Sequence, residues 1–152
     1  MKKHAVIPAI SIKDEAGRHL PAIIIPSGEN PLFSLPRATV VKNAGVHEFI
    51  TLVQGASLVI TDSYHGTALS IALERQFINL KRFKDNEVSS QNIRLKDLLD
   101  RLGIASRTIQ EQVTKITGKD LLPIDYDSVR PQLEQLRAES NLYLDKALSD
   151  AD

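Results

Sequence analysis

Asp62-Ser63-Tyr64-His65-Gly66 is the stretch of this sequence whose residue types and spacing could do chemistry. It follows the apolar run Ser57-Leu58-Val59-Ile60-Thr61 and precedes Ala68, Leu69, Ala72 and Leu73, which recur at helical spacing. An apolar strand that ends in polar residues and then opens a helix leaves unpaired backbone N–H groups pointing outward. Such a helix start attracts phosphate or carboxylate. Asp62 or Ser63 can cap the helix, and Gly66 lets backbone or ligand approach closely. His65, in the first turn, could anchor an anion or pass a proton, because imidazole titrates near ~6.5. The same residues also read as ordinary capping, with His65 hydrogen-bonding a neighbour. Two arginines stand where a second anion contact would be useful. Arg82 follows the run Phe77-Ile78-Asn79-Leu80, and Arg94 stands near a helix start after the polar stretch 85–92. Guanidinium suits bidentate carboxylate or phosphate contacts, although either side chain could simply be solvated. His4, His19 and His47 show no metal-ligand spacing.

The elements that must position these groups follow from periodicity. Strands are predicted within Ala5–Ile12, at Ala22–Ile25 and at Ala38–Val41. From Val46 the pattern alternates regularly. A helix over Val46–Gln54 precedes a strand at Ser57–Thr61, a helix over Tyr64–Arg75 and a strand at Phe77–Leu80. An amphipathic helix over Ile93–Leu102 buries Leu95, Leu98, Leu99 and Leu102, with Gly103 as its stop. A closing helix over Asp127 to about Leu148 aligns Val129, Leu133, Leu136, Ser140, Tyr143, Leu144 and Ala147 on a stripe expected to face the core. Short alternation of strand and helix implies parallel strands joined by crossovers. The predicted fold is a three-layer, doubly wound α/β domain with a mainly parallel sheet, and Val59 and Ile60 are expected in a central strand. Ligands of such sheets bind where strands end and helices begin.

The chain of 152 residues fits one domain, with 42% hydrophobic and 25% charged residues. Lys plus Arg and Asp plus Glu number 19 each, so no overall field favours nucleic acid or an anionic membrane. There is no cysteine, hence no disulfide and no thiolate metal site. No apolar run reaches the ~20 residues of a membrane helix. The basic start Met1-Lys2-Lys3-His4 is followed by Pro8 and Lys13-Asp14-Glu15 rather than a signal-peptide core, so a cytoplasmic protein is expected.

Ala56-Ser57-Leu58-Val59-Ile60-Thr61-Asp62-Ser63-Tyr64-His65-Gly66-Thr67-Ala68 resembles the A-x-x-V-I-T-D-S-F-H-G-T signature of the polysaccharide pyruvyl transferase family. The flanks resemble it too. His47-Glu48-Phe49-Ile50-Thr51-Leu52-Val53 lies upstream. Downstream come Gln76-Phe77-Ile78, Arg82, Asn92-Ile93-Arg94-Leu95, Leu98-Leu99, Leu102-Gly103-Ile104 and Asp125-Tyr126 before the last helix. The resemblance is clear over about residues 46–148. It implies one Rossmann-like, GT-B-type lobe, the carboxy-terminal one, of an enzyme with two lobes facing a cleft. The implied reaction moves a pyruvyl group from phosphoenolpyruvate onto a sugar hydroxyl pair in exopolysaccharide or cell-wall polysaccharide synthesis, with no cofactor. His65 falls on the motif histidine, implicated in donor binding and proton transfer. Asp62, Ser63, Tyr64 and Gly66, with Arg82 and Arg94, are the expected substrate contacts. Ser63 stands where some members carry arginine, which leaves hydroxyl and backbone donors at that position. A single lobe implies a missing amino-terminal lobe or partner subunit, and little turnover by the chain alone. The alternatives are the nucleotide-sugar lobe of a GT-B glycosyltransferase and a non-catalytic binding module.

Overall fold

The structure, a computed structural model, describes residues 21–25, 37–80, 92–109 and 122–150. Its strands are β1 (Ala22–Ile24), β2 (Ala38–Val40), β3 (Val59–Thr61), β4 (Phe77–Leu80) and β5 (Thr108–Ile109). Its helices are α1 (Val46–Gly55), α2 (Tyr64–Ala72), α3 (Asn92–Arg101) and α4 (Tyr126–Ser149), with a 3-10 turn at Ala105–Arg107. β1 pairs with β2, and β3, β4 and β5 form a second sheet in that order, every pairing parallel. Parallel neighbours require a crossover, supplied by α2 between β3 and β4. The α/β, parallel, Rossmann-like architecture expected from the sequence is the one observed. The strand predicted within residues 5–12 lies outside the described residues.

β4 is the heart of the sheet. All four of its residues are buried, as a strand flanked on both edges and covered on both faces must be. Its side chains alternate. Phe77 joins Ile71 of α2, Leu95 and Leu99 of α3, Leu102, Ile104, Ile124 and Val129 of α4 in one apolar cluster. Ile78 and Leu80 pack on the other face with Ile109, Leu58 and Ile60. β3, expected at the centre, is an edge of this three-stranded sheet among the described residues. The runs at β3 and β4 are similarly apolar, and composition alone does not order them.

α3 ends as predicted. Gly103 adopts φ +70°, its N–H donates to Asp100 O, and the Ile104 N–H donates to Leu99 O. That is the Schellman closure that favours glycine at the left-handed position. α2 closes in the same way without a glycine. Glu74 takes φ 53°, with Glu74 N–H to Ile71 O and Arg75 N–H to Ser70 O. The helix therefore stops at Ala72, short of the Arg75 expected.

α4 departs most from expectation. Val129 is buried, and Leu133 and Leu136 pack partly against the core. Beyond them Tyr143 is 73% exposed and Leu144 54% exposed, so the distal half of the stripe is not core. Among the described residues, no helix is long and apolar enough to cross a membrane.

Candidate functional site

β3 delivers the chain to the start of α2 at the carboxyl end of the sheet, where a parallel α/β fold exposes its ligand-binding turns. Ser63, with extended φ −97° and ψ 135°, is the N-cap; its Oγ accepts from the Gly66 N–H at 3.4 Å. Ser63 thus takes the capping role for which Asp62 was the other choice, and Asp62 is half-buried beside it. The Ser63 N–H donates in turn to Thr61 Oγ1 at 3.1 Å, and the Thr67 N–H donates to Ser63 O at 3.0 Å. Among the described residues, nothing accepts the N–H of Tyr64 or His65. These two donors stand at the positive end of α2, the place where the sequence reading expects an anion.

The side chains at this helix start form a short relay of contacts. The rings of Tyr64 and His65 meet edge to face, with centroids 5.9 Å apart and planes at 89°. Arg94, in the first turn of α3, sets its guanidinium carbon 5.3 Å from the centroid of the Tyr64 ring. A cation over a tyrosine face at an exposed position contributes about 0.5–1 kcal/mol. The contact brings Arg94 against Tyr64, so four of the expected residues, Ser63, Tyr64, His65 and Arg94, meet at the start of α2. Arg82 lies outside the described residues. His47 stands on α1, exposed, with its carbonyl accepting from Thr51 Oγ1.

Gly66 is buried, but the group that approaches it belongs to the chain itself. A Cβ at this position would lie 3.1 Å from Thr61 Cβ and 3.3 Å from Thr61 Cγ2, with Thr61 Oγ1 closer still. The glycine lets the turn fold back on the end of β3.

His65 also borders an open groove of about 640 Å³ between α1 and α2, lined by Val46, Phe49, Ile50, Ala68 and Leu69 among others. That volume falls in the ~300–1,000 Å³ range of ligand pockets. Apart from His65 the side chains around it are apolar. Among the described residues, no three His, Asp or Glu side chains gather to hold a metal ion.

Beneath the turn lies a polar group that periodicity did not single out. Asn79 of β4 is fully buried, and its Nδ2 donates to Thr61 O at 3.3 Å and to Thr67 Oγ1 at 3.2 Å. Thr67 and Ser70 of α2 are fully buried as well, and Ser70 Oγ donates to Gly66 O at 2.8 Å. The available signal was one amide in an otherwise apolar strand, Phe77-Ile78-Asn79-Leu80.

On the far side of α2, a separate set of contacts anchors α4. Tyr126 Oη donates to Arg75 O at 2.5 Å, Gln76 Oε1 accepts from the Ile124 N–H at 2.6 Å, and Arg130 grips Glu74. Burial pushes the Tyr126 phenol up to about 12, with the nearby Arg107 charge pulling the other way.

A family model described as polysaccharide pyruvyl transferase matches residues 6–82. The matched span holds β3, the whole turn, α2, β4 and Arg82; Arg94 lies beyond it. It overlaps the resemblance read from the motifs at residues 46–82 and extends back through the first two strands. No curated protein and no solved structure matches the chain.

Proposed function

The chain belongs to the polysaccharide pyruvyl transferase family, and from that premise we propose that it takes part in moving a pyruvyl group from phosphoenolpyruvate onto two hydroxyls of a sugar. The observation that carries this reading is the Arg94 guanidinium against the Tyr64 ring at the start of α2, where no described residue accepts the N–H of Tyr64 or His65. Phosphoenolpyruvate bears a phosphate and a carboxylate, and a helix start beside an arginine offers one cationic element to each. Forming the ketal requires a proton at the methylene carbon of the donor, which becomes a methyl group. The two sugar oxygens bond to the adjacent carbon, each losing its proton, and phosphate departs. We assign the handing over or receiving of a proton to His65, which is exposed in the first turn of α2. No cofactor enters this scheme. The acceptor is a sugar or glycan of exopolysaccharide or cell-wall polysaccharide synthesis, and the reaction belongs in the cytoplasm with its metabolic donor.

His65 is exposed and the groove beside it is open, whereas ketal formation needs bulk water kept out. A facing lobe or partner subunit would close this side, and turnover should depend on it.

Calorimetric titration of the chain with phosphoenolpyruvate, run beside a nucleotide sugar, tests the reading. Phosphoenolpyruvate should bind and the nucleotide sugar should not. His65→Ala and Arg94→Ala should each weaken binding roughly ten- to hundredfold, the value of a hydrogen bond to a charged group. His47→Ala should bind as the parent does, and melting curves should show all three variants folded. Parent-like binding by His65→Ala would sink the assignment.

A further inference from the structure

Asn79 is the only polar side chain in β4, on the face that otherwise packs Phe77 into the main apolar cluster. Both hydrogens of its amide nitrogen are committed, one to the carbonyl that ends β3 and one to the Thr67 hydroxyl in α2. The amide cannot be turned over, because rotation would set Oδ1 against the Thr61 carbonyl. Held this way, Oδ1 is buried without any hydrogen-bond partner. An apolar residue here would strand no Oδ1 but would leave the buried Thr67 hydroxyl without the donor it has, so what the asparagine provides is the pair of bonds.

What the amide does is join two elements. Thr61 is the last residue of β3, and its hydroxyl already accepts from the Ser63 N–H; Thr67 lies one turn into α2. We propose that Asn79 is a positioning residue of the donor site: by tying Thr61 to Thr67 it fixes the angle between β3 and α2, and hence the direction of the free N–H groups of Tyr64 and His65. This rests on the reading of that helix start as the donor's anion site. Donors aimed before the ligand arrives need no reorientation when it binds, which is the value of a rigid frame beneath them. The residue acts through the turn and touches no substrate.

The test needs Asn79→Leu, Thr67→Val and Thr67→Ser in the full chain, with two readouts. The first is ligand-free: amide hydrogen exchange at Ser63, Gly66 and Thr67, together with the melting temperature. Asn79→Leu and Thr67→Val should raise exchange at these amides about tenfold while β4 and α3 exchange as in the parent. Thr67→Ser, which keeps the hydroxyl, should match the parent. The second is calorimetric titration with phosphoenolpyruvate, where the first two variants should lose about tenfold in affinity while their melting curves show them folded. Unchanged exchange in Asn79→Leu overturns the tie. Altered exchange with parent-like affinity overturns the positioning role and leaves Asn79 merely structural. A parent that binds no phosphoenolpyruvate refutes the donor-site reading and the role in binding with it, whereas the exchange data still decide the tie. Should Asn79→Leu fail to fold, the Thr67→Val and Thr67→Ser pair carries both readouts.

Discussion

At position 66 the turn has no room for a methyl group, and the obstacle is Thr61 rather than a ligand. Gly66→Ala should therefore destabilise the protein even when nothing is bound, by about 1–3 kcal/mol as overpacking does. The cost should shrink in a Thr61→Ala background, because the opposing side chain is then gone. Urea denaturation of the two single variants and the double variant measures this as a non-additive cycle. Equal costs for Gly66→Ala in both backgrounds would contradict the contact. The residue types of the turn were legible in the sequence because capping, close approach and helix-start chemistry each select few amino acids. Ser63 as cap and Arg94 near the site follow from such local rules. Asn79 was not legible, since a strand pattern shows which residues are buried but not which polar atoms meet across it.

Elements were legible where the pattern was long or strongly punctuated. α1, α3 and the start of α4 lie within a residue or two of their predicted limits, and Gly103 marked the end of α3. β5 escaped because two residues, Thr108 and Ile109, make no run. The end of α2 escaped for a different reason: Glu74 occupies a conformation that normally calls for glycine, and Arg130, distant in sequence, grips its carboxylate. Tyr126 belongs to the same junction, and its buried phenol yields a pH signature. Its ordinary value is near ~10, and the folded protein raises it to about 12. Folding therefore retains a proton that the unfolded chain releases between those values. That contribution is fully present below about pH 10 and is lost as the pH climbs through about 12. The parent should lose stability more steeply than Tyr126→Phe across this window. At neutral pH the variant should be weaker by about 0.5–1.5 kcal/mol, for the lost bond to the Arg75 carbonyl. Denaturant midpoints from pH 8 upward compare the two, and parallel curves would count against the buried phenol.

On the scale of the whole molecule, burial is uneven along α4. Its first turns hold Val129 in the core, while Leu142, Tyr143, Leu144 and Leu148 are each more than half exposed. Periodicity identified the stripe correctly as apolar but could not show how far the rest of the fold extends beneath it. Leu144→Gln and Leu148→Gln should each change stability by no more than about 0.5 kcal/mol. Phe77→Ala, at the fully buried centre of β4, should cost about 3–5 kcal/mol. Thermal and urea unfolding decide this, and a loss above about 2 kcal/mol at Leu144 would show that the helix end is packed. The distances along the chain that the hydrogen bonds bridge carry a consequence for assembly. Those that frame the turn join residues 2 to 18 apart, from Ser63–Thr61 to Asn79–Thr61. Those that anchor α4 at Gln76, Arg75 and Glu74 join residues 48 to 56 apart. Closing short loops loses less chain entropy, and contacts near in sequence form early. As the chain leaves the ribosome, every residue that shapes the turn is present before Tyr126 and Arg130 have been added. The turn can thus take form on a nascent chain, and the last helix then seals a frame that already exists.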